Sequence, residues 1–220
     1  MKNSACVLTS GGLDSAVSLS EALERYDSVT PVYVRNHLRW EKTELVRLRQ
    51  FLKAIACHRL KALQVLDLPM KDVYARHWGM TGAGVPGFKS SDSAVYIPGR
   101  NIILLSKAAC FAALHGIPVI EIGVLAANPF PDGSPAFFRK MSAVLSEGLG
   151  KNIEVRAPFR GLKKEALILR GRKLPLWLTF SCIRPRKGVH CGECNKCAER
   201  KKAFFAAGVA DKTKYVKAGL

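Results

Sequence analysis

Residues 10–15 read Ser-Gly-Gly-Leu-Asp-Ser, directly after the short apolar run Ala5-Cys6-Val7-Leu8. A strand that feeds a Gly-rich turn and then a helix is a natural anion site. The turn presents backbone N–H groups, and the helix N-terminus adds a partial positive charge. Gly11 and Gly12 permit positive φ and let phosphate oxygens approach the backbone, with Leu13 opening the helix behind them. Ser10 and Ser15 add hydroxyl donors. Asp14 cannot cradle phosphate itself, so its carboxylate suits Mg²⁺, a hard cation that bridges to phosphate oxygens. The run is neither Gly-x4-Gly-Lys-Ser/Thr nor Gly-x-Gly-x-x-Gly. The plain alternative is a serine-glycine turn that only caps a helix.

The second informative feature is Cys182, eight residues, Cys191, two residues, Cys194, two residues, Cys197. Overlapping Cys-x-x-Cys steps are metal-ligand spacings, and four thiolates fill a Zn²⁺ tetrahedron. With no open position for water, such a zinc is structural and ties down a C-terminal subdomain. Disulfides compete poorly: seven cysteines is an odd number, and Met1-Lys2-Asn3-Ser4 leads straight into a strand rather than a signal peptide. A cytoplasmic location is expected on that ground. An iron–sulfur cluster is the metal alternative. Cys6, Cys57 and Cys110 sit among apolar residues and read as small core side chains.

Apolar runs alternate with helical patterns along the 220 residues. Strands are expected at 4–9, 29–34, 62–66, 118–124 and 152–155. Helices are expected at 14–25, 40–57, 101–115, 135–148, 163–171 and 196–207. The alternation predicts an α/β protein with a doubly wound parallel sheet, its ligand beyond the C-terminal strand ends. We expect an ATP-binding domain over 1–160 and a small zinc-binding helical subdomain over 161–220. The loops at 33–44, 68–100 and 125–134 should then carry the chemistry, the second being long enough to read as a lid or a binding segment. No run approaches the ~20 apolar residues that would cross a membrane. The net charge is +18, and residues 151–220 hold 18 of the 35 Lys/Arg but only 5 of the 17 Asp/Glu. Such a surface suits anionic partners, namely nucleotides, a polyanion or nucleic acid, and leaves room for a protein partner.

The loop at 10–15 resembles that of the PP-loop ATP pyrophosphatases. Taken with Pro98-Gly99-Arg100-Asn101 opening a helix, Phe130-Pro131-Asp132, the cysteine spacing, and Arg200 with Ala203-Phe204, nearly the full chain resembles the 7-cyano-7-deazaguanine synthase (QueC) family. The resemblance implies an ATP-dependent carbon–nitrogen ligase. It would convert 7-carboxy-7-deazaguanine and ammonia to the nitrile through adenylated intermediates, releasing AMP and pyrophosphate. It implies ATP contacts from Ser10, Gly11, Gly12, Leu13, Asp14 and Ser15, and zinc on the four cysteines. It further implies active-site roles for Asp14, Arg100, Asn101, Lys164 and His37, with Glu44 in the same stretch as His37. A homodimer is expected too. Arg100 is a permanent cation suited to phosphate or carboxylate, or else a structural salt bridge. Asn101 doubles as an N-cap. Lys164 is alternatively a solvated helix residue. Phe130 and Asp132 fall in the substrate loop, where Asp132 could accept from guanine-like N–H groups or simply make a turn.

The substrate loop departs from the family pattern Asp-x3-Tyr-Pro-Asp-Cys-Arg. Here residues 127–134 read Ala-Asn-Pro-Phe-Pro-Asp-Gly-Ser, lacking the first aspartate and the arginine. Ile183 stands where a tyrosine usually follows the first zinc cysteine. An adenylating enzyme with a changed acyl substrate or acceptor is therefore the second expectation, and a zinc-ribbon nucleic-acid-binding protein the one from another class.

Overall fold

The computed structural model describes residues 3–216. Five strands form one parallel sheet: β1 (Ser4–Leu8), β2 (Ser28–Arg35), β3 (Gln64–Asp67), β4 (Val119–Ile122) and β5 (Glu154–Arg156), in the order β3-β2-β1-β4-β5. The helices are α1 (Leu13–Arg25), α2 (Glu41–Ala54), α3 (Trp78–Thr81), α4 (Arg100–Leu114), α5 (Pro135–Leu149), α6 (Lys164–Arg170) and α7 (Asn195–Ala206). The doubly wound parallel sheet expected from the sequence is the one observed.

Strand side chains alternate between two cores, as the pleat requires. Cys6, Leu8, Val32 and Val34 face α4 and α5, meeting Leu105, Ala109, Phe138 and Met141. Ala5, Val7, Val29 and Tyr33 face α1 and α2, meeting Ala16, Leu19, Leu48 and Phe51. Both faces are covered, which is why the strands read as apolar runs. The order reverses between β1 and β4, so the loop after β1 opens at the switch point where doubly wound sheets bind ligands.

The C-terminal third packs directly behind that loop. Leu13 and Val17 of α1 share a core with Phe159, Leu167, Ile168 and Phe204. Phe180 N–H donates to the Gly11 carbonyl at 2.6 Å. The long 68–100 segment is ordered by α3, by a short 3-10 turn at Asp92–Val95, and by the stacked Trp40 and Trp78 rings 5.5 Å apart. Asn195 N–H donates to the Pro86 carbonyl at 3.0 Å, tying this segment to the cysteine cluster.

Two expectations need correction. Cys57 and Cys110 are exposed, and only Cys6 of the three is in the core. Cys110 lies on the outer side of α4, away from the stripe Leu105-Ala109-Ala112 that meets the sheet. Asn101 is not the N-cap of α4. The helix starts one residue earlier behind Gly99, whose φ of +68° only glycine adopts freely. The cap comes from afar: Asp132 Oδ2 accepts from Asn101 N–H at 2.9 Å, while Asn101 Nδ2 donates to the Asp132 carbonyl at 2.8 Å.

Candidate active site

At the C-terminal ends of β1, β2 and β4 lies an open cavity of ≈ 280 Å³. The glycine-rich loop at 10–15 forms one end. Gly11 has φ +80°, and its missing side chain leaves room for Leu48 of α2, whose Cβ would stand 3.2 Å from an added Cβ. The hydroxyls of Ser10 and Ser15 are 3.4 Å apart, and Gly12 N–H donates to Ser10 Oγ at 3.3 Å. No side chain caps α1. Its first turn has no intrahelical acceptors for its N–H groups, so they point to a ligand site with the positive end of the helix dipole.

Asp14 lines this end, and its Oδ1 makes no hydrogen bond although the atom is buried. A buried carboxylate oxygen without a hydrogen bond, at the uncapped N-terminus of α1, fits a divalent cation. Burial pushes the Asp14 carboxyl up, while Lys164 pulls it down and Glu199 adds to the rise. Lys164 Nζ stands 3.6 Å from Asp14 Oδ1 and 2.5 Å from Glu199 Oε1; Lys196 Nζ is 2.7 Å from Glu199 Oε2. Burial alone would lower the Lys164 pKa, but Asp14 and Glu199 more than offset it, so the ammonium stays charged. Burial raises Glu199, yet the two lysines hold its carboxyl down at about 2. Lys164 is therefore no solvated helix residue but one member of a four-membered charge chain.

The other end is formed by β2, α2, α4 and the 125–134 loop. Arg100 enters the cavity, makes no salt bridge among the described residues, and has a buried Nε without a hydrogen-bond partner. Glu44 lies opposite, buried, with Tyr33 Oη donating to its Oε2 at 2.7 Å. Burial raises its pKa to about 7 against the opposing pull of Arg100 and Tyr33. Phe130 stacks on Tyr96 at 4.8 Å, and Phe130, Trp40 and Phe180 supply flat apolar wall. Asp132 also lines the cavity, although one oxygen is engaged by the α4 N-terminus. Arg160 staples the loop, donating to the carbonyls of Gly133, Leu125 and Ala126 at 2.7–2.9 Å.

Thus Ser10, Gly12, Leu13, Asp14, Ser15, Arg100, Asn101, Phe130, Asp132 and Lys164 all line one cavity, with Gly11 in the loop beneath. His37 does not. It sits at φ +64°, its turn held by the buried Glu41, which accepts from the N–H groups of Asn36 and His37 at 2.8 and 2.9 Å. The ring turns outward to Asp67 at the sheet edge, 2.8 Å away. Sequence reasoning missed Lys196, Glu199 and Arg160. Lys196 and Glu199 are i and i+3 on one helix face, but nothing local says which side that face meets.

The four remaining cysteines are buried with their Sγ atoms within 4.8 Å of one another. Cys182–Cys191, Cys182–Cys194 and Cys191–Cys197 are separated by 3.6, 3.9 and 3.9 Å. A tetrahedron with Zn–S bonds of about 2.3 Å has edges of about 3.8 Å, so the cluster has the size for zinc. Backbone N–H groups of Arg184, Cys191 and Glu193 point at these sulfurs at 3.3–3.5 Å, which favours thiolate. Cys194 is the N-cap residue of α7, which carries Lys196, Glu199 and Arg200 to the cavity.

Sheet order and the glycine-rich loop at the switch point define a doubly wound fold of the PP-loop type. Solved structures share the fold. One is the predicted subunit of a tRNA methyltransferase from Methanocaldococcus jannaschii (17% identity, TM-score 0.51, 77% of this chain and 74% of that one). Another is a 4-thiouridine synthetase in an RNA complex with bound ATP (14% identity, TM-score 0.50, 94% of this chain and 50% of that one). The chain belongs to the QueC family, described as queuosine biosynthesis protein QueC, which matches residues 4–208. It is similar to the 7-cyano-7-deazaguanine synthase of Anaeromyxobacter dehalogenans, at 34% identity over 97% of this chain and 96% of that one. The synthase of Leptospira interrogans is 30% identical over 96% of this chain and 90% of its own. That of Methanobrevibacter smithii is 30% identical over 98% and 99%.

Proposed function

We propose that this chain is a 7-cyano-7-deazaguanine synthase that uses ATP and ammonia. The observation that carries the proposal is a single cavity joining the glycine-rich loop, with Asp14 and Lys164 at its end, to Arg100. In the proposed reaction, the carboxylate of 7-carboxy-7-deazaguanine attacks the α-phosphorus of ATP. The α–β P–O bond breaks, and pyrophosphate leaves. Ammonia then adds to the acyl carbon, and AMP departs with the C–O bond pair to leave the amide. The amide oxygen then attacks the α-phosphorus of a second ATP, whose α–β P–O bond breaks to release a second pyrophosphate, and loss of AMP with the two amide protons gives the nitrile.

The protein's part is positioning and charge. The α1 N-terminus and Lys164 oppose the negative charge that develops on the phosphoryl oxygens. Arg100, a permanent cation with an unsatisfied Nε, anchors the acyl carboxylate against the α-phosphate. Asp14 would hold Mg²⁺, which when bound neutralises phosphate charge. Glu44 can take up a proton from the attacking ammonia, since it ionises near neutrality. Trp40, Phe130 and Phe180 suit a flat heterocycle. Zinc on the four cysteines has a structural role.

The test is incubation with ATP, Mg²⁺, ammonium and 7-carboxy-7-deazaguanine, with products read by mass spectrometry. Nitrile and AMP are expected, and Asp14→Ala should abolish both while leaving the fold. AMP without nitrile points to a changed acceptor, which the altered 127–134 loop favours as the second reading. No ATP consumption overturns both.

A further inference from the structure

We propose that Glu199 is a positioning residue that holds Lys164 off Asp14 until phosphate arrives, keeping the Asp14 carboxylate open to a divalent cation. The proposal rests on the reading that the loop takes ATP. A lysine facing a single carboxylate pairs with it fully and displaces a cation from it. Here Lys164 is shared unequally, 2.5 Å from Glu199 Oε1 against 3.6 Å from Asp14 Oδ1. The uneven split leaves Asp14 Oδ1 without a hydrogen bond.

Glu199 can do this because it is itself fixed. Lys196 grips its other oxygen at 2.7 Å from one turn earlier on α7. The start of α7 is pinned by Cys194 and Cys197, and by Asn195, whose Nδ2 donates to the Ser90 carbonyl at 2.8 Å. When phosphate enters, Lys164 exchanges Glu199 for a phosphate oxygen. Glu199 stays compensated by Lys196, so the exchange strands no buried charge. Glu199 thus acts through Lys164 and touches no reacting atom.

The test is Glu199→Gln, which keeps the shape and removes the charge. Lys164 then closes on Asp14. Electron paramagnetic resonance would follow Mn²⁺ binding in the presence of a non-hydrolysable ATP analogue. Breaking a charge-assisted Lys164–Asp14 bond first should weaken Mn²⁺ binding about tenfold. The Mg²⁺ concentration for half-maximal pyrophosphate release should rise by a similar factor, with kcat at saturating Mg²⁺ little changed. The same substitution in a Lys164→Met background should leave Mn²⁺ affinity unchanged, because no competitor remains. An equal loss in both backgrounds means Glu199 attracts the cation directly and overturns the proposal. Unchanged Mn²⁺ affinity in the single variant also overturns it, with the ATP reading intact. If the unaltered protein binds no Mn²⁺–nucleotide, the ATP reading itself fails.

Discussion

Glu44 is a carboxyl group kept near its own ionisation point, at about pH 7, chiefly by burial. The sign of its effect on stability follows from that. Its pKa in the folded chain lies above the usual carboxylate value, so the folded state binds the proton more tightly than the unfolded one. Its contribution is fully present below about pH 4.5 and is lost as pH rises through 7. Glu44→Gln keeps an acceptor for Tyr33 and removes this dependence. The melting temperature of the variant should therefore gain on the unaltered protein between pH 5 and 8. The gap should approach, as an upper bound, about 3 kcal/mol at the alkaline end. Melting curves across that range check it; parallel curves would show that Glu44 is already ionised at pH 5. At this scale the sequence is legible where chemistry is local. Residues 10–15 and the four cysteines announce themselves by spacing. Glu199, Arg160 and the outward turn of His37 do not, because their partners are Lys164, the 125–133 carbonyls and Asp67, each about 30 residues away.

Elements were easier to read than residues because period and length carry them. Every strand and every long helix expected from the sequence is present, with ends shifted by a few residues. The 40–57 pattern, for instance, stops at Ala54. The 68–100 segment was opaque because its order comes from Trp40 and Asn195, outside it. Two contacts between elements make predictions. Gly123, just after β4, lies so close to the start of α1 that an added Cβ would sit 2.7 Å from the Asp14 carbonyl carbon. Backbone cannot yield as a flexible side chain can. Gly123→Ala should cost roughly 1–3 kcal/mol and lower ATP turnover together, read by thermal melting and pyrophosphate release. The second contact is α7, which carries thiolates at one end and the Lys196–Glu199 pair one turn on. Cys194→Ser, or stripping with a chelator, should lower zinc content and melting temperature and also weaken nucleotide binding. Atomic absorption, calorimetry and nucleotide titration would separate these; full zinc with unchanged melting would dismiss the structural-metal reading.

Across the whole molecule the charge is uneven in a useful way. The protein carries +18, yet the cavity sets Arg100, Lys164, Lys196 and Arg200 against Asp14, Glu44, Asp132 and Glu199. On the proposed function, long-range attraction of ATP comes from the surface, while Lys164 and Lys196 are held in reserve by their carboxylate partners Asp14 and Glu199. Added salt should lower kcat/KM for ATP well before it lowers kcat, because steering is screened beyond about 10 Å at 0.1 M and close pairs are not. Among the described residues no helix is long and apolar enough to cross a membrane. The bond from Phe180 N–H to the Gly11 carbonyl, 2.6 Å long, has a consequence in time. The loop at 10–15 is made about 170 residues before the backbone that braces it. At roughly 5–20 residues per second, the nascent loop waits on the order of ten seconds or more for its brace. Arrest peptides placed at intervals along the message should show nucleotide protection appearing only after residue 180 has cleared the ribosome tunnel, although the signature that marks the loop was complete at residue 15.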